Sequence, residues 1–131
     1  MEDFNKKLAG YILIETVDLL RATRMEANIL KKRLFQDIQF HNKKIIVDLS
    51  KCTFIDSAFW GALVASLRRT KETNGAIKLV ITPSLNEEVI HYGGALRVFN
   101  CYTTVKDALK SYGYYGEESQ IKYSDQLQNT I

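Results

Sequence analysis

The sequence predicts an α/β fold, a single domain built on a mixed sheet of four to five strands with about four helices packed on it. Three observations predict it. Strand-like and helix-like segments alternate along the 131 residues with short links between them. Ile45-Ile46-Val47-Asp48-Leu49 is a nearly continuous run rich in β-branched residues, bounded by Lys43-Lys44 and Ser50-Lys51, as in a strand buried on both faces. Capping residues stand directly before apolar segments of helical spacing, at Thr23, at Asp56-Ser57 and at Thr104.

Taken in order, Phe4 to Leu8 and Tyr11 to Val17 read as two arms of a hairpin turning at Ala9-Gly10, and Asp18 ends the second arm. From Ala22 the spacing of Met25, Ile29, Leu30, Leu34 and Ile38 predicts a helix with those residues buried, opened by the capping box Thr23-x-x-Glu26. Arg24, Glu26, Lys31, Lys32 and Asp37 form its expected solvent side. His41 to Lys44 leads into the central strand at Ile45. A second helix opens at Asp56-Ser57, with Trp60, Leu63, Val64 and Leu67 as its stripe, and runs to about Thr73, where Asn74-Gly75 stops it. Arg68, Arg69 and Lys71 suit its negative end. Ala76 to Thr82 is a further strand, followed by Pro83 and by a capping box Ser84-Leu85-Asn86-Glu87 for a short helix that Gly93-Gly94 ends. Leu96 to Tyr102 holds the last strand, and Thr104-x-x-Asp107 opens a final helix ending at Gly113. Residues 1–113 are therefore the folded domain. Residues 114–131, polar with sparse apolar positions and no sustained period, read as a loosely ordered tail.

Composition narrows the function classes. A net charge of +3, with cations interleaved among acids, gives no basic stripe for nucleic acid. No run of about eighteen apolar residues or leader pattern is present, so no membrane insertion is expected and the location reads as cytoplasmic. Cys52 and Cys101 have no metal spacing and make no disulfide framework, which suits two small apolar thiols in a reducing compartment. His41 and His91 have no ligand partners nearby in sequence, and Asp56-Ser57 has no adjacent base. Neither a phosphate-binding glycine loop nor a kinase motif set occurs. The expectation is a binding protein with no cofactor of its own, not an enzyme.

Ser57 is the residue with a chemical option. A helix start presents unpaired N–H groups and partial positive charge, so a phosphate on Ser57 would be favoured there, against the negative charge of Asp56 beside it. The other reading of the same hydroxyl is a plain helix cap. Both stand on the residues alone.

The order Ile46-Val47-Asp48-Leu49-Ser50, a short loop with an apolar pair, Asp56-Ser57, Gly61 and an apolar helix resembles the STAS domain of anti-sigma factor antagonists and sulfate transporters. The likeness spans about Tyr11 to Gly113. It implies Ser57 as phosphoacceptor and an anti-sigma factor serine kinase as partner, which would itself bind ATP and Mg²⁺; a phosphatase and a homodimer mate are further partners it suggests. The implied contact surface is Cys52, Thr53, Phe54, Asp56, Ala58 and Phe59. The family's pattern continues Asp-Ser-x-Gly-(Leu or Val)-Gly, whereas this chain has Phe59 and Trp60 before Gly61. Phe59 is then expected at the surface, as a contact or an obstacle, and Trp60 in the core. The alternative is a constitutive STAS scaffold of a transporter or sensory complex, with Ser57 only a cap.

Overall fold

The computed structural model describes residues 2–85, 95–116 and 122–123. The hairpin forms as the alternation predicts: β1 (Phe4–Ala9) and β2 (Ile12–Val17) pair antiparallel, turning at Gly10, whose φ of +59° favours glycine. Strands β4 (Lys44–Asp48), β6 (Ala76–Val80) and β7 (Asn100–Tyr102) continue from β2 in parallel register. The sheet order is β7-β6-β4-β2-β1, and the short β8 (Lys122–Tyr123) adds an antiparallel edge beside β1. Central β4 has Ile45, Ile46 and Val47 all fully buried, because helices cover both sheet faces.

Helices α1 (Arg24–Gln39) and α2 (Ser57–Lys71) pack together on one face, over Leu13, Val17, Ile45, Val47, Ile77 and Leu79. The other face carries α4 (Val105–Ser111), whose Ala108 and Leu109 meet Ile12, Ile14, Ile46 and Val80. The short α3 (Ala95–Val98) precedes β7. Thr23 and Glu26 close the expected capping box of α1, and Thr104 accepts from the Asp107 amide to cap α4.

Several expectations are corrected. The buried stripe of α1 is Ala27, Leu30, Leu34, Asp37 and Ile38; Met25 and Ile29 face outward, and Asp37 faces in. The helix is turned so that Asp37 reaches Lys6 of β1, which places an ion pair where the pattern suggests solvent. Helix α2 ends at Lys71, and Asn74, with φ +59°, rather than Gly75 takes the left-handed position after it. At the third parallel strand Leu85 N donates to Thr82 Oγ1 (3.2 Å), so Thr82 rather than Ser84 is the capping residue and 83–85 are already helical. The remainder of that helix, with His91 and the Gly93-Gly94 stop, lies outside the described residues. The strand expected over Leu96 to Tyr102 is only Asn100–Tyr102, since β6 offers partners to those three residues and Ala95–Val98 is helical. Most of residues 114–131 also lie outside the described residues.

Candidate functional site

Two short segments with no strand pattern of their own form a second, two-stranded sheet. Strand β3 (Arg21–Ala22) runs parallel to β5 (Phe54–Ile55), with Arg21 opposite Phe54 and Ala22 opposite Ile55. Each strand leads directly into a helix, β3 through Thr23 into α1 and β5 through Asp56 into α2. Pairing the strands therefore brings two helix starts side by side. The ribbon is reinforced by Asp56 N donating to Ala22 O (3.1 Å), by Thr53 N donating to Leu20 O (2.7 Å) and by the Arg21 guanidinium lying 4.2 Å over the Phe54 ring.

Asp56 holds both starts. Its Oδ1 accepts from Phe59 N at 2.9 Å, the capping bond of α2, and its Oδ2 accepts from Arg24 N at 2.8 Å, the first residue of α1. One carboxylate thus satisfies an orphan amide on each helix and sits in the partial positive charge of both. The N-cap of α2 is therefore Asp56, not Ser57. Ser57 is the first residue inside the helix, exposed, and its hydroxyl makes no hydrogen bond among the described residues. The reading of Ser57 as a plain cap is corrected on that ground: the capping bond from the Phe59 amide goes to Asp56.

The residues expected around Ser57 divide into surface and support. Thr53 and Ala58 are exposed, and Phe54 and Asp56 are half-buried. Cys52 and Phe59 are fully buried, which overturns their expected place on a contact surface. Phe59 points inward because it continues the stripe Ala62, Leu63, Ser66, Leu67 and Thr70, all buried on the same helix face. Trp60, expected in the core, is half-buried at its margin, edge-on to Phe99 with ring centroids 5.2 Å apart. Phe59 is thus the core residue, and Trp60 packs against the core from its edge. Ala58, the residue after Ser57, lines with Gly61 and Ala65 an open cleft of about 400 Å³ between α1 and α2, with Arg24, Asn28 and Lys31 on its other wall. A Cβ on Gly61 would meet nothing within 4 Å.

The loop entering β5 is fixed from beneath. Ser50 N donates to Asp48 Oδ1 (3.0 Å), and Cys52 N to Leu49 O (2.9 Å). Burial, with the Asp48 charge nearby, pushes the Cys52 thiol up to about 12, so it is an inert packing group. Lys51 pairs with Asp18 at 3.2 Å on the exposed rim. Among the described residues no three His, Cys, Asp or Glu side chains are placed to hold a metal ion, and no helix is long and apolar enough to cross a membrane. What the arrangement offers is an exposed hydroxyl at a helix start, beside a carboxylate already bonded to two amides. The bond from Arg24 was not visible in the sequence; two capping signals are readable there, but not that they meet.

The comparisons bear on this geometry. The family model of the STAS domain matches residues 11–108. A comparison with curated proteins gives no match. Among solved structures, the fold is similar to a protein from Thermotoga maritima described as a putative anti-sigma factor antagonist. That likeness has a TM-score of 0.72 and 23% identity, covering 82% of this chain and 92% of the other. It is also similar to the Bacillus anti-sigma factor antagonist SpoIIAA, solved in unphosphorylated form (TM-score 0.62, 14% identity, 84% of this chain and 96% of the other). The phosphorylated form gives 0.64 at 14% identity, with 83% and 98% covered. A third likeness is to the murine anion transporter Slc26a9 (0.64, 18% identity, 81% of this chain and 18% of the transporter). With the family match spanning most of the domain and the sheet, helices and paired helix starts as described, the chain belongs to the STAS domain family.

Proposed function

We propose that the protein is an anti-sigma factor antagonist working in a phosphorylation-controlled partner switch. With Ser57 unmodified it binds a kinase-type anti-sigma factor across Thr53, Phe54, Asp56, Ala58 and the small-residue cleft, and a sigma factor is released. Phosphorylation of Ser57 by that partner, which supplies ATP and Mg²⁺, ends the complex, and a phosphatase resets it. The observation that carries this reading is the Ser57 hydroxyl, exposed and without a hydrogen bond among the described residues, in the first turn of α2. A similar fold from Bacillus has been solved with and without phosphate.

The physics of the switch is local. A phosphate adds about −1.5 to −2 charge to a surface that a partner must desolvate. A loss of about 2.8 kcal/mol there weakens binding a hundredfold. Asp56 opposes the added charge less than a free carboxylate would, because both its oxygens are bonded to helix-start amides. The first-turn amides of Ser57 and Ala58, which have no helical carbonyl to bond, favour an anion at the same place. No refolding is needed, and the chain acts by binding, not by turnover.

The test is incubation with a serine-kinase anti-sigma factor and ATP, with the phosphorylated residue located by mass spectrometry. Label at Ser57, lost in Ser57→Ala, together with binding at least about a hundredfold weaker for Ser57→Asp, is the expected result. Phosphate found only at other residues, or binding indifferent to Ser57→Asp, overturns it. The fold likeness to the anion transporter supports a second reading, a constitutive scaffold subunit of a transporter or sensory complex. In that case Ser57→Ala leaves both binding and regulation unchanged.

A further inference from the structure

Away from the helix starts, on the α1 side of the sheet, four charged side chains are gathered where an apolar core would be expected. Glu15 of β2 is fully buried and Asp37 of α1 is 3% exposed. Lys6, the cross-strand partner of Glu15 on β1, reaches Asp37 Oδ1 at 2.6 Å and stands 3.7 Å from Glu15 Oε2. Arg33, one turn before Asp37 on α1, donates to Glu15 Oε1 from both Nε and Nη2 at 3.0 Å. The remaining neighbour across the sheet, Val47 of β4, brings no charge. Lys6, Arg33 and Asp37 are therefore the charged groups that face Glu15 from β1 and α1.

Two oxygens in this cluster are left over. Glu15 Oε2 and Asp37 Oδ2 are buried and accept no hydrogen bond from any donor among the described residues. A buried carboxylate oxygen that accepts no hydrogen bond is costly, even where, as at Glu15 Oε2, an ammonium group stands 3.7 Å away. Two such oxygens on neighbouring carboxyl groups are satisfied together if a single proton lies between them, one carboxyl donating to the other. We propose that the folded protein holds one proton shared between Glu15 and Asp37, and that its loss to hydroxide weakens the seating of α1 on the sheet.

The charge environment agrees with the geometry. Burial first, then the hydrogen bond and the like charge of Asp37, raise the Glu15 carboxyl from 4.5 to about 9, against the lowering pull of Arg33 and Lys6. A carboxyl raised on folding means that the folded chain binds more protons than the unfolded one between those two values. Stability is then fully present below 4.5 and declines as pH rises towards about 9. For one proton the folding equilibrium constant falls tenfold per pH unit in that window.

Equilibrium urea unfolding of the full chain from pH 5.5 to 8.5 reads this out. The expected result is a decline approaching tenfold per pH unit, removed in Glu15→Gln, whose amide still donates to Asp37 and accepts from Arg33. A decline that persists in Glu15→Gln, or none in the unaltered chain, overturns the proposal. Should Glu15→Gln fail to fold, the side-chain carboxyl ¹³C resonance of Glu15 in the unaltered chain decides: a protonated shift at pH 7 supports the proposal and an ionised one refutes it. Asp37→Asn separates sharing from burial alone. Sharing moves the Glu15 titration to lower pH in that variant; an unmoved titration shows that the proton is not shared.

Discussion

Asp56 and Ser57 are adjacent, and the structure gives them separate work. Asp56 bonds the first amide of α1 and the third of α2, so Asp56→Ala removes two capping bonds at once and is expected to cost about 2 kcal/mol, twice an ordinary cap. Chemical denaturation measures it. Ser57→Ala, by contrast, is expected to change stability by less than about 0.5 kcal/mol, as at a surface site away from structural features. Stability and regulation can thus be separated at two neighbouring residues. Phe59 is the opposite case, a residue whose place in the pattern suggests contact and whose side chain is core. Its truncation to Ala is expected to cost about 3–5 kcal/mol by leaving a cavity under α2. The signal for its burial is present in the spacing 59, 62, 63, 66, 67, 70, one position away from the stripe Trp60, Leu63, Val64 and Leu67.

At the scale of elements, the helices were legible as segments and less so as surfaces. Capping residues depend on neighbours three or four positions away, so Thr23 with Glu26 and Thr104 with Asp107 could be read directly, and Thr23→Ala should cost about 1 kcal/mol in the same denaturation assay. Which face of α1 turns inward depended instead on the sheet beneath it. Met25 and Ile29 look like core by type, yet the ion pairing of Arg33 and Asp37 with Glu15 and Lys6 fixes the rotation that exposes them. On the opposite sheet face the Tyr112 hydroxyl donates to both Ile45 O (3.0 Å) and Ala76 O (3.1 Å), tying the end of α4 to two parallel strands. Burial holds that phenol well above the usual tyrosine range, so it remains a donor at neutral pH. Tyr112→Phe is expected to lose about 1–2 kcal/mol, seen as a lower denaturation midpoint.

Over the whole molecule the thiols give a check on packing that is independent of the switch. Burial raises Cys52 to about 12 and Cys101 to about 11 from 9.0, so both are protonated and unreactive at neutral pH. Alkylation at pH 8 followed by mass measurement should find neither modified in the folded chain and both modified in denaturant. Because both folded values are raised, their contribution to stability is intact below pH 9 and is lost as pH climbs through those values, above the window assigned to Glu15. The sequence by itself determined the hairpin, the three parallel core strands in outline, the helices at Arg24, Ser57 and Val105, the Thr23 and Thr104 caps and the position of Ser57 at a helix start, since each follows from short-range periodicity and turn chemistry. Only the tertiary structure decided that Asp56 joins two helices, that Phe59 turns inward, and that Glu15 meets Asp37. Those contacts join residues far apart in the chain, and pairing across such a distance is set by how the sheet and helices pack, which no local pattern records.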